Sequence, residues 1–426
     1  MFPKIRRGTI DYFQDLRQLT PNARKYLLAS FFIGMTFSSM MLLLNLYLRE
    51  RGFGEADIGS VLSFGALGMV CISIPGAFLI SRVRLKPILL ISTILYAIFG
   101  IITIYAQQLW AIQAAYFLAG ITMTFYRIAA SPFFMRNSSS RERPYLFSLS
   151  FGIAVIAGVI GSFIFGALVE YLVGNIGYDT VQAHRLSLAI GVFISLLALI
   201  PFAMLKMPKQ IPKEDRFEIS FKTFAPYRGL FLKLCAPYFI VGTGAGMIIP
   251  FLNIFFRDRF GKDADEIGLF FGLVHLTMFI GVMAGPIMVK KIGMVRTIVF
   301  TQLLSIPFML ILAFNYYFPL VIGAFLLRGA LMNMGGPIGN NFAMEMVPKS
   351  MHAIMNALLM FAWTSSWMVS TKIGGMIIES HGYTLSLVIA VILYVISSVL
   401  YFFFFRSSEK FSLNGITVKS DFKTAA

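Results

Sequence analysis

The sequence has little of what enzymes, metal sites and disulfide-linked domains require. Its 426 residues include 2 Cys and 4 His, and charged residues make up only 13% of the chain. The two cysteines, Cys71 and Cys235, lie in apolar segments and have neither a pairing pattern nor a metal-ligand spacing. The apolar segments also contain no paired carboxylates and no nucleophile with a neighbouring base. We therefore expect no enzyme, no metal and no cofactor.

What the chain has in abundance is apolar side chains. Hydrophobic residues make up 58% of it, including 44 Phe and 24 Met. A soluble protein would need an implausibly large dry core for so many of them. A bilayer, in contrast, accepts apolar side chains around the whole circumference of each helix. The composition therefore predicts an integral membrane protein, with the lipid bilayer as its surroundings.

The basic residues follow membrane topology rather than a nucleic-acid surface. The formal net charge is +17, but the basic residues are scattered through short loops between apolar runs. With the N-terminus inside, the cytoplasmic segments hold 27 Lys and Arg against 9 Asp and Glu, and the external segments hold 6 against 10. This asymmetry follows the positive-inside rule. We expect both termini in the cytoplasm, a plasma or inner membrane location, no cleaved signal peptide and no nucleic-acid partner.

Charge-poor runs long enough to cross a bilayer recur along the whole chain. About 20 helical residues span a hydrocarbon core. Twelve such spans are predicted, near 26–48, 57–80, 88–106, 109–135, 145–172, 186–205, 231–256, 266–289, 296–314, 317–344, 352–378 and 384–405. The longest polar stretch, 206–230, follows the sixth span and is too short to bury a core. The sequence thus predicts one bundle over 1–205, a cytoplasmic linker over 206–230 and a second bundle over 231–426.

The two predicted bundles repeat each other. Residues 44–51 and 252–259 share the pattern Leu-Asn-x-x-x-Arg-acid-Arg at the ends of spans 1 and 7, an offset of 208. Further matches are Ala56-Asp57 with Ala264-Asp265 at the same offset and, one inserted residue later, Ile58-Gly59 with Ile267-Gly268. Because six is an even number, both halves enter the membrane in the same direction. Transporters with this kind of repeat bind their solute between the halves, near the middle of the bilayer.

The loops after spans 2 and 8 are also alike, because each has a glycine followed by basic residues. The first loop region contains Gly76, Arg82, Arg84 and Lys86, and the second contains Gly285, Lys290, Lys291 and Gly293. With the 6+6 arrangement and the basic linker, these loops make the chain similar to the major facilitator superfamily over essentially its whole length. The resemblance implies an all-α membrane fold of two pseudo-symmetric six-helix bundles. The acidic residue usual in the family's loop is missing from this chain.

Three cations lie inside predicted spans, where each costs about 2.5–3.5 kcal/mol at a helix centre unless the fold compensates it. They are Arg127 in span 4, Arg328 in span 10 and Lys372 in span 11, and no Asp or Glu lies in the middle of any span. In the family that the chain resembles, helices 1, 4, 7 and 10 line a central cavity and helix 11 borders it. The resemblance therefore implies that all three cations face the solute path and attract an anion. The alternatives are snorkelling to the interface and, for Arg328, a packing role.

Other residues of spans 8, 10 and 11 are candidates for the same path. Asn333 and Asn340 could orient a substrate by hydrogen bonds, and Trp363 could supply an aromatic wall. Interhelical bonding and ordinary packing are the alternatives. Because no carboxylate lies in the middle of a span, His275 in span 8 is the candidate for proton coupling. Helix-to-helix hydrogen bonding is its alternative role, and facilitated diffusion or anion exchange would need no such proton site.

The sequence therefore predicts a monomeric secondary transporter that moves a small solute by alternating access, with an organic anion as the favoured class. Two other functions fit the same fold. A multidrug exporter would use the many Phe and Met side chains as an adaptable apolar pocket. A lipid flippase would place the headgroup in a basic cavity. The charge of the preferred solute separates a multidrug exporter from an organic-anion transporter. Unpaired cations buried near the site would repel lipophilic cations.

Overall fold

A computed structural model describes residues 20–137, 143–206, 225–348, 351–412 and 415–418. Nearly all of them lie in α-helices, most of which are long and apolar enough to cross a membrane. Most of the predicted linker at 206–230 lies outside the described residues, so the domain boundaries stay predictions. The structure also has a short antiparallel hairpin after the last helix, formed by β1 (Glu409–Ser412) and β2 (Gly415–Val418).

Six helices form the N-terminal half. They are α1 (Pro21–Glu50), α2 (Glu55–Arg82), α3 (Leu85–Tyr105), α4 (Leu109–Asn137), α5 (Arg143–Gly174) and α6 (Thr180–Ala203). Helix α1 packs against α5 and α6, and α4 packs against both α2 and α3. Thr20 begins the first helix, since its side chain accepts a hydrogen bond from the Ala23 amide at 3.3 Å and Pro21 follows it.

The C-terminal half begins with four helices of the same kind. They are α7 (Arg228–Phe260), α8 (Ala264–Ile292), α9 (Met294–Phe314) and α10 (Phe318–Glu345). A 3₁₀ turn at Ile249–Phe251, which contains Pro250, interrupts α7. Asp263 and Glu266 form a capping box at the start of α8, which fixes the point where the chain re-enters the bundle.

The last helix, His352–Phe405, has one non-helical residue, Gly382, with a φ of 79°. Before this residue the helix runs parallel to α7. A Cβ at Gly242 would meet Ser366, and one turn further on a Cβ at Gly246 would meet Ser370. The two helices therefore advance in the same direction along this stretch.

Beyond Gly382 the chain runs back along the same helix. Ser386 donates a hydrogen bond to the Met247 carbonyl at 3.1 Å, whereas Ser397 donates to the Pro237 carbonyl at 2.8 Å, near the other end of α7. The positive φ of Gly382 permits this reversal, since a residue with a Cβ rarely adopts it. We number the two arms α11 (352–381) and α12 (383–405). The described chain thus makes the twelve crossings that the sequence predicts.

The halves meet along two seams, α2 against α11 and α5 against α8. Glycines let the backbones touch: a Cβ at Gly59 would overlap the Thr371 carbonyl, and one at Gly375 would overlap the Glu55 carbonyl. The second seam repeats both contacts, with Gly268 on Ser162 and Gly166 on Ala264. Each residue of the first seam lies 209 positions from its counterpart in the second. The two seams are therefore related by the pseudo-twofold axis of the fold.

The seams correct one detail of the predicted repeat. They pair Glu55 with Ala264, so the predicted match of Ala56 with Ala264 is wrong by one residue. Gly52 and Gly261 have φ values of 87° and 60° and occupy the same turn, one after each first helix of a half. The extra residue is therefore Phe260, just before that turn, and not a residue within α8. A turn absorbs an insertion without shifting the packed face of a helix.

The repeated motifs 44–51 and 252–259 close one end of the bundle, which we call the sealed end. Asn45 donates a hydrogen bond to the Pro250 carbonyl, and Asn253 donates to the Leu42 carbonyl at 2.8 Å. Both asparagines are buried. The two bonds are reciprocal, because donors and acceptors are each 208 positions apart. The asparagines therefore join α1 to α7 across the two halves.

Ion pairs join the halves at the same end. Arg49 lies 3.5 Å from Asp258, and Arg257 pairs with Glu50, again as two contacts related by an offset of 208. These side chains are partly exposed, so each pair contributes only about 0–1 kcal/mol. The sealed end thus combines two buried hydrogen bonds with two weaker ion pairs, all of which cross between the halves.

Candidate functional site

A cavity of about 290 Å³ lies in the C-terminal half, away from the sealed end, with Arg127 of the N-terminal half at its edge. Its walls come from the first parts of α7, α9 and α11 and from the later parts of α10 and α12. Asn340 and Asn356 in these walls are exposed. We call this side of the bundle the open end. The chain is therefore closed at one end and carries its cavity towards the other.

Six amide and aliphatic hydroxyl side chains of the C-terminal half line part of the cavity. They are Gln302, Asn333, Asn340, Asn356, Thr364 and Ser397. Tyr238 donates its hydroxyl hydrogen to Asn340 Oδ1 at 3.2 Å, and Ser398 donates to Gln302 Oε1 at 2.8 Å. Because these two amide oxygens are engaged, the NH₂ groups of the same side chains remain to donate. The cavity thus offers hydrogen-bond donors to whatever occupies it.

An aromatic wall closes the cavity on the side of α7 and α11. The rings of Tyr238 and Trp363 both line it, with centroids 5.8 Å apart and planes at 63°. Behind them, the Trp367 ring lies 6.1 Å from that of Trp363. Tyr401 of α12 contributes a further aromatic side chain. This packing fixes the ring positions, so the wall is formed before any ligand arrives.

Arg127 of α4 faces this wall from the other half. It is the only charged residue, and the only one from the N-terminal half, among the described residues that line the cavity. Its Nη1 atom lies 4.0 Å from Met69 Sδ, a weak contact that neutralises no charge. No carboxylate lies among the described lining residues. The described part of the cavity wall therefore holds one positive charge and no carboxylate to neutralise it.

The structure brings four of the six predicted substrate residues together. Arg127, Asn333, Asn340 and Trp363 all line the cavity. Asn333 also donates to the Gly329 carbonyl of its own helix at 2.9 Å, which holds its side chain in place. Their contact with a substrate stays a prediction, but they share one space, as that prediction requires.

Arg328 does not line the cavity. It lies one helical turn from the lining residue Met332, towards the sealed end, and only 4% of it is exposed. Its Nη2 donates to the Tyr394 hydroxyl at 2.8 Å, while its Nε has no partner in the described chain. The tyrosine ring packs against Gly244 of α7. Arg328 thus links α10 to α12 inside the C-terminal half, through a tyrosine hydroxyl and not through the backbone.

Lys372 and His275 also lie away from the cavity lining. Lys372 is exposed on a face of α11 that it shares with the exposed Met376. His275 packs in the seam between α8 and α5, where a Cβ at Gly158 would approach its ring to 3.0 Å. In this conformation neither side chain reaches the lining residues of the cavity.

The predicted loop residues lie near the open end. Gly76 and Gly285 are helix-packing positions, where a Cβ would come within 3.0 Å of Ile128 and 3.2 Å of Ile338. The Arg82 guanidinium lies 3.8 Å from the centre of the Phe78 ring. Lys86 donates a hydrogen bond to the Leu205 carbonyl at 3.1 Å. The other basic residues of the two loops, Arg84, Lys290 and Lys291, are exposed. Gly293 joins α8 to α9 with a φ of 89°. These loops therefore present a basic surface beside the cavity.

Among the lining residues that the sequence analysis missed, six have a polar group. They are Tyr238, Gln302, Asn356, Thr364, Ser397 and Tyr401. Each is uncharged and lies in an apolar span, where charge carries no signal. A helical projection of α11 could have found Asn356, because it lies seven residues, or about two turns, before Trp363 on the same face.

Comparison with known proteins places the chain in a family of transport proteins. The sequence profile of the Major Facilitator Superfamily matches residues 26–237 and, a second time, residues 234–422. The two matches together cover almost the whole chain, one over each half. No curated protein shows a significant sequence match.

Several solved transporter structures have the same fold. A bacterial homologue of the human lysosomal transporter Spinster, in an inward-facing and unoccupied conformation, has a TM-score of 0.75 and 14% identity over 91% of this chain and 96% of its own. The nucleoside transporter NupG has a TM-score of 0.70 and 14% identity over 91% and 99%. The human organic anion transporter MFSD10 (TETRAN) has a TM-score of 0.62 and 14% identity over 89% and 99%. At these identities the likeness shows the fold alone.

Proposed function

Since this chain belongs to the major facilitator superfamily, we propose that it is a secondary transporter that carries a small organic anion through its central cavity by alternating access. The chain is a multi-pass integral membrane protein with the transporter fold of that family. The anion, the direction and the mechanism are the parts that go beyond the family. Each rests on a separate feature of the molecule.

Arg127 is the observation that carries the preference for an anion. It faces the cavity without a carboxylate among the described lining residues, and the amides of Gln302 and Asn340 line the same cavity with NH₂ groups that can donate. A guanidinium binds a carboxylate or phosphate through two parallel hydrogen bonds. Cationic solutes would meet repulsion from the same charge.

The charge distribution along the chain supports the orientation. The sealed end carries the segments with the acidic excess, and the open end carries the basic loops. By the positive-inside rule, the sealed end is external and the open end is cytoplasmic. The conformation is then inward-facing. In the opposite state, the contacts of Asn45 and Asn253 would be broken and the cavity would open outward.

Solute binding to the purified protein tests this proposal. The melting temperature is measured with an aliphatic carboxylate, a sugar phosphate, a lipophilic cation and a lysophospholipid, each in turn. We expect stabilisation by the anions, and an affinity about 10- to 100-fold weaker in Arg127→Gln, because a charge-assisted hydrogen bond contributes about 1.5–3 kcal/mol. Lys372→Gln is the matched control, since it removes a cation outside the cavity lining.

The same screen separates the competing functions. Stabilisation by the lipophilic cation alone indicates a multidrug exporter, and stabilisation by the lysophospholipid alone indicates a lipid flippase. Anion binding that survives Arg127→Gln but not Lys372→Gln would contradict the site. Uptake of a bound anion into liposomes, with and without a proton gradient, then decides between proton coupling and facilitated diffusion or exchange.

A further inference from the structure

The cavity has two chemically different sides, one from each half of the chain. The N-terminal half supplies Arg127, the only charge among the described lining residues. The C-terminal half supplies the rings of Tyr238 and Trp363 and the amide donors. A solute that contacts both sides needs an anionic group at one end and a surface that suits aromatic rings at the other.

We propose that the transported solute is an aromatic organic anion, with its charged group on Arg127 and its ring packed against Trp363 and Tyr238. This proposal rests on the proposed function and names the substrate class of the same cavity. The two wall rings meet at 63°, so a third ring can lie flat on one and meet the other edge to face. Both arrangements are favoured between aromatic rings.

The wall is held in place before the ring arrives. Trp363 is packed beside Trp367, and Tyr238 is tied to Asn340 through its hydroxyl. Prior ordering lowers the entropic cost of binding, because few side chains must be immobilised. A saturated ring of the same size buries a similar apolar area but has no π-face, so it gains less from this wall.

The size of the cavity agrees with a small, compact anion. About 290 Å³ lies at the lower end of the range for pockets that hold drug-sized ligands. A solute of one or two rings fits that space, whereas a long acyl chain does not. Since the charge and the ring contact opposite halves, such a solute bridges them. Binding would therefore draw the two sides of the open end together.

A matched pair of acids tests the inference. Benzoate and cyclohexanecarboxylate have the same charge and nearly the same size, and their affinities for the purified full-length protein are compared by calorimetry. We expect benzoate to bind roughly 2- to 10-fold more tightly, the preference that one aromatic pair provides. Trp363→Leu should remove the preference. Phe361→Leu is the control, because it removes an exposed aromatic of the same helix outside the cavity lining.

A second variant protects the test from a folding defect. Tyr238→Leu removes the other ring of the wall and should reduce the preference, whereas Tyr238→Phe should keep it. Equal affinities for the two acids, or a preference that survives both leucine variants, would overturn the aromatic class and leave the organic-anion transporter intact. Failure of both acids, with binding of a lipophilic cation instead, would overturn the two proposals together.

Discussion

Replacing Asn45 and Asn253 together by alanine should lower the population of the conformation in which the sealed end is closed. Each asparagine donates a buried hydrogen bond to a backbone carbonyl of the other half. When the sealed end opens, both carbonyls and both amides separate, so these bonds exist in one conformation only. Their loss therefore changes the balance between conformations, and the stability of each half changes little.

The size of the shift follows from the two bonds. A buried side-chain hydrogen bond contributes about 0.5–1.5 kcal/mol net, so two of them contribute about 1–3 kcal/mol. At about 1.4 kcal/mol per factor of ten, the ratio of open to sealed molecules should rise by roughly 5- to 150-fold. The ion pairs nearby stay in place in the variant and still favour the sealed state, each by up to about 1 kcal/mol.

Distances between spin labels at the sealed end report this ratio. In a background with Cys71→Ser and Cys235→Ser, labels are placed at Asn175→Cys and Tyr317→Cys, which are exposed positions of the two halves at this end. The double alanine variant should populate a longer distance. The labelled protein that keeps Asn45 and Asn253 should give a single, shorter distance between the labels, since the halves are in contact at the sealed end.

An asparagine within one half provides the control. Asn22 donates to the Lys206 carbonyl at 2.6 Å and accepts from the Lys206 amide at 3.1 Å, and neither bond reaches the C-terminal bundle. Asn22→Ala should lower the melting temperature without lengthening the label distance. If the Asn45 and Asn253 variant keeps the short distance, or if Asn22→Ala lengthens it equally, the reasoning about the sealed end is refuted.

Three further substitutions test the packing. Gly166→Ala should destabilise the protein by about 1–3 kcal/mol, because the added Cβ would meet a backbone carbonyl. Gly152→Ala on the same helix is the control and should be nearly neutral, since nothing lies within 4 Å of its Cβ position. The melting temperatures of the two variants test the difference. Tyr394→Phe should lower the melting temperature by leaving Arg328 without its hydrogen bond, with anion affinity unchanged in calorimetry. His275→Gln should retain anion binding, and loss of binding would place this side chain in the solute path.

Much of the fold could be predicted because lipid imposes simple rules. Length and apolarity mark each crossing, and the loop charges indicate the orientation. The repeat 44–51 and 252–259 was visible because its residues contact each other across the halves and so share chemistry. The position of the extra residue was not visible, since Phe260 lies at the end of α7, next to a turn where matching residues give no constraint.

The site could be predicted only in part. A charged residue in a membrane span indicates a free-energy cost, but it does not indicate in which direction the side chain points. Arg127 and Arg328 were equally unusual in the sequence, yet one faces the cavity and the other donates to Tyr394 within its own half. Arg328 lies only one helical turn from the lining residue Met332, so a small change of position along the helix decides whether such a side chain faces the cavity. Uncharged residues such as Ser397 gave no signal at all, since a single hydroxyl is common in an apolar helix.

The constant offset between the seams has a consequence for how such a chain can change. A symmetric pair of identical subunits would carry every contact twice, so one substitution would alter both copies. In this chain the two halves are one polypeptide, so Gly59 can be kept while its counterpart in the second seam, Gly268, is free to change. Contacts at the seams have stayed equivalent, whereas Arg127 stands on one side and the rings on the other. Joining the halves thus permits a scaffold that keeps its twofold symmetry to enclose a chamber that has lost it.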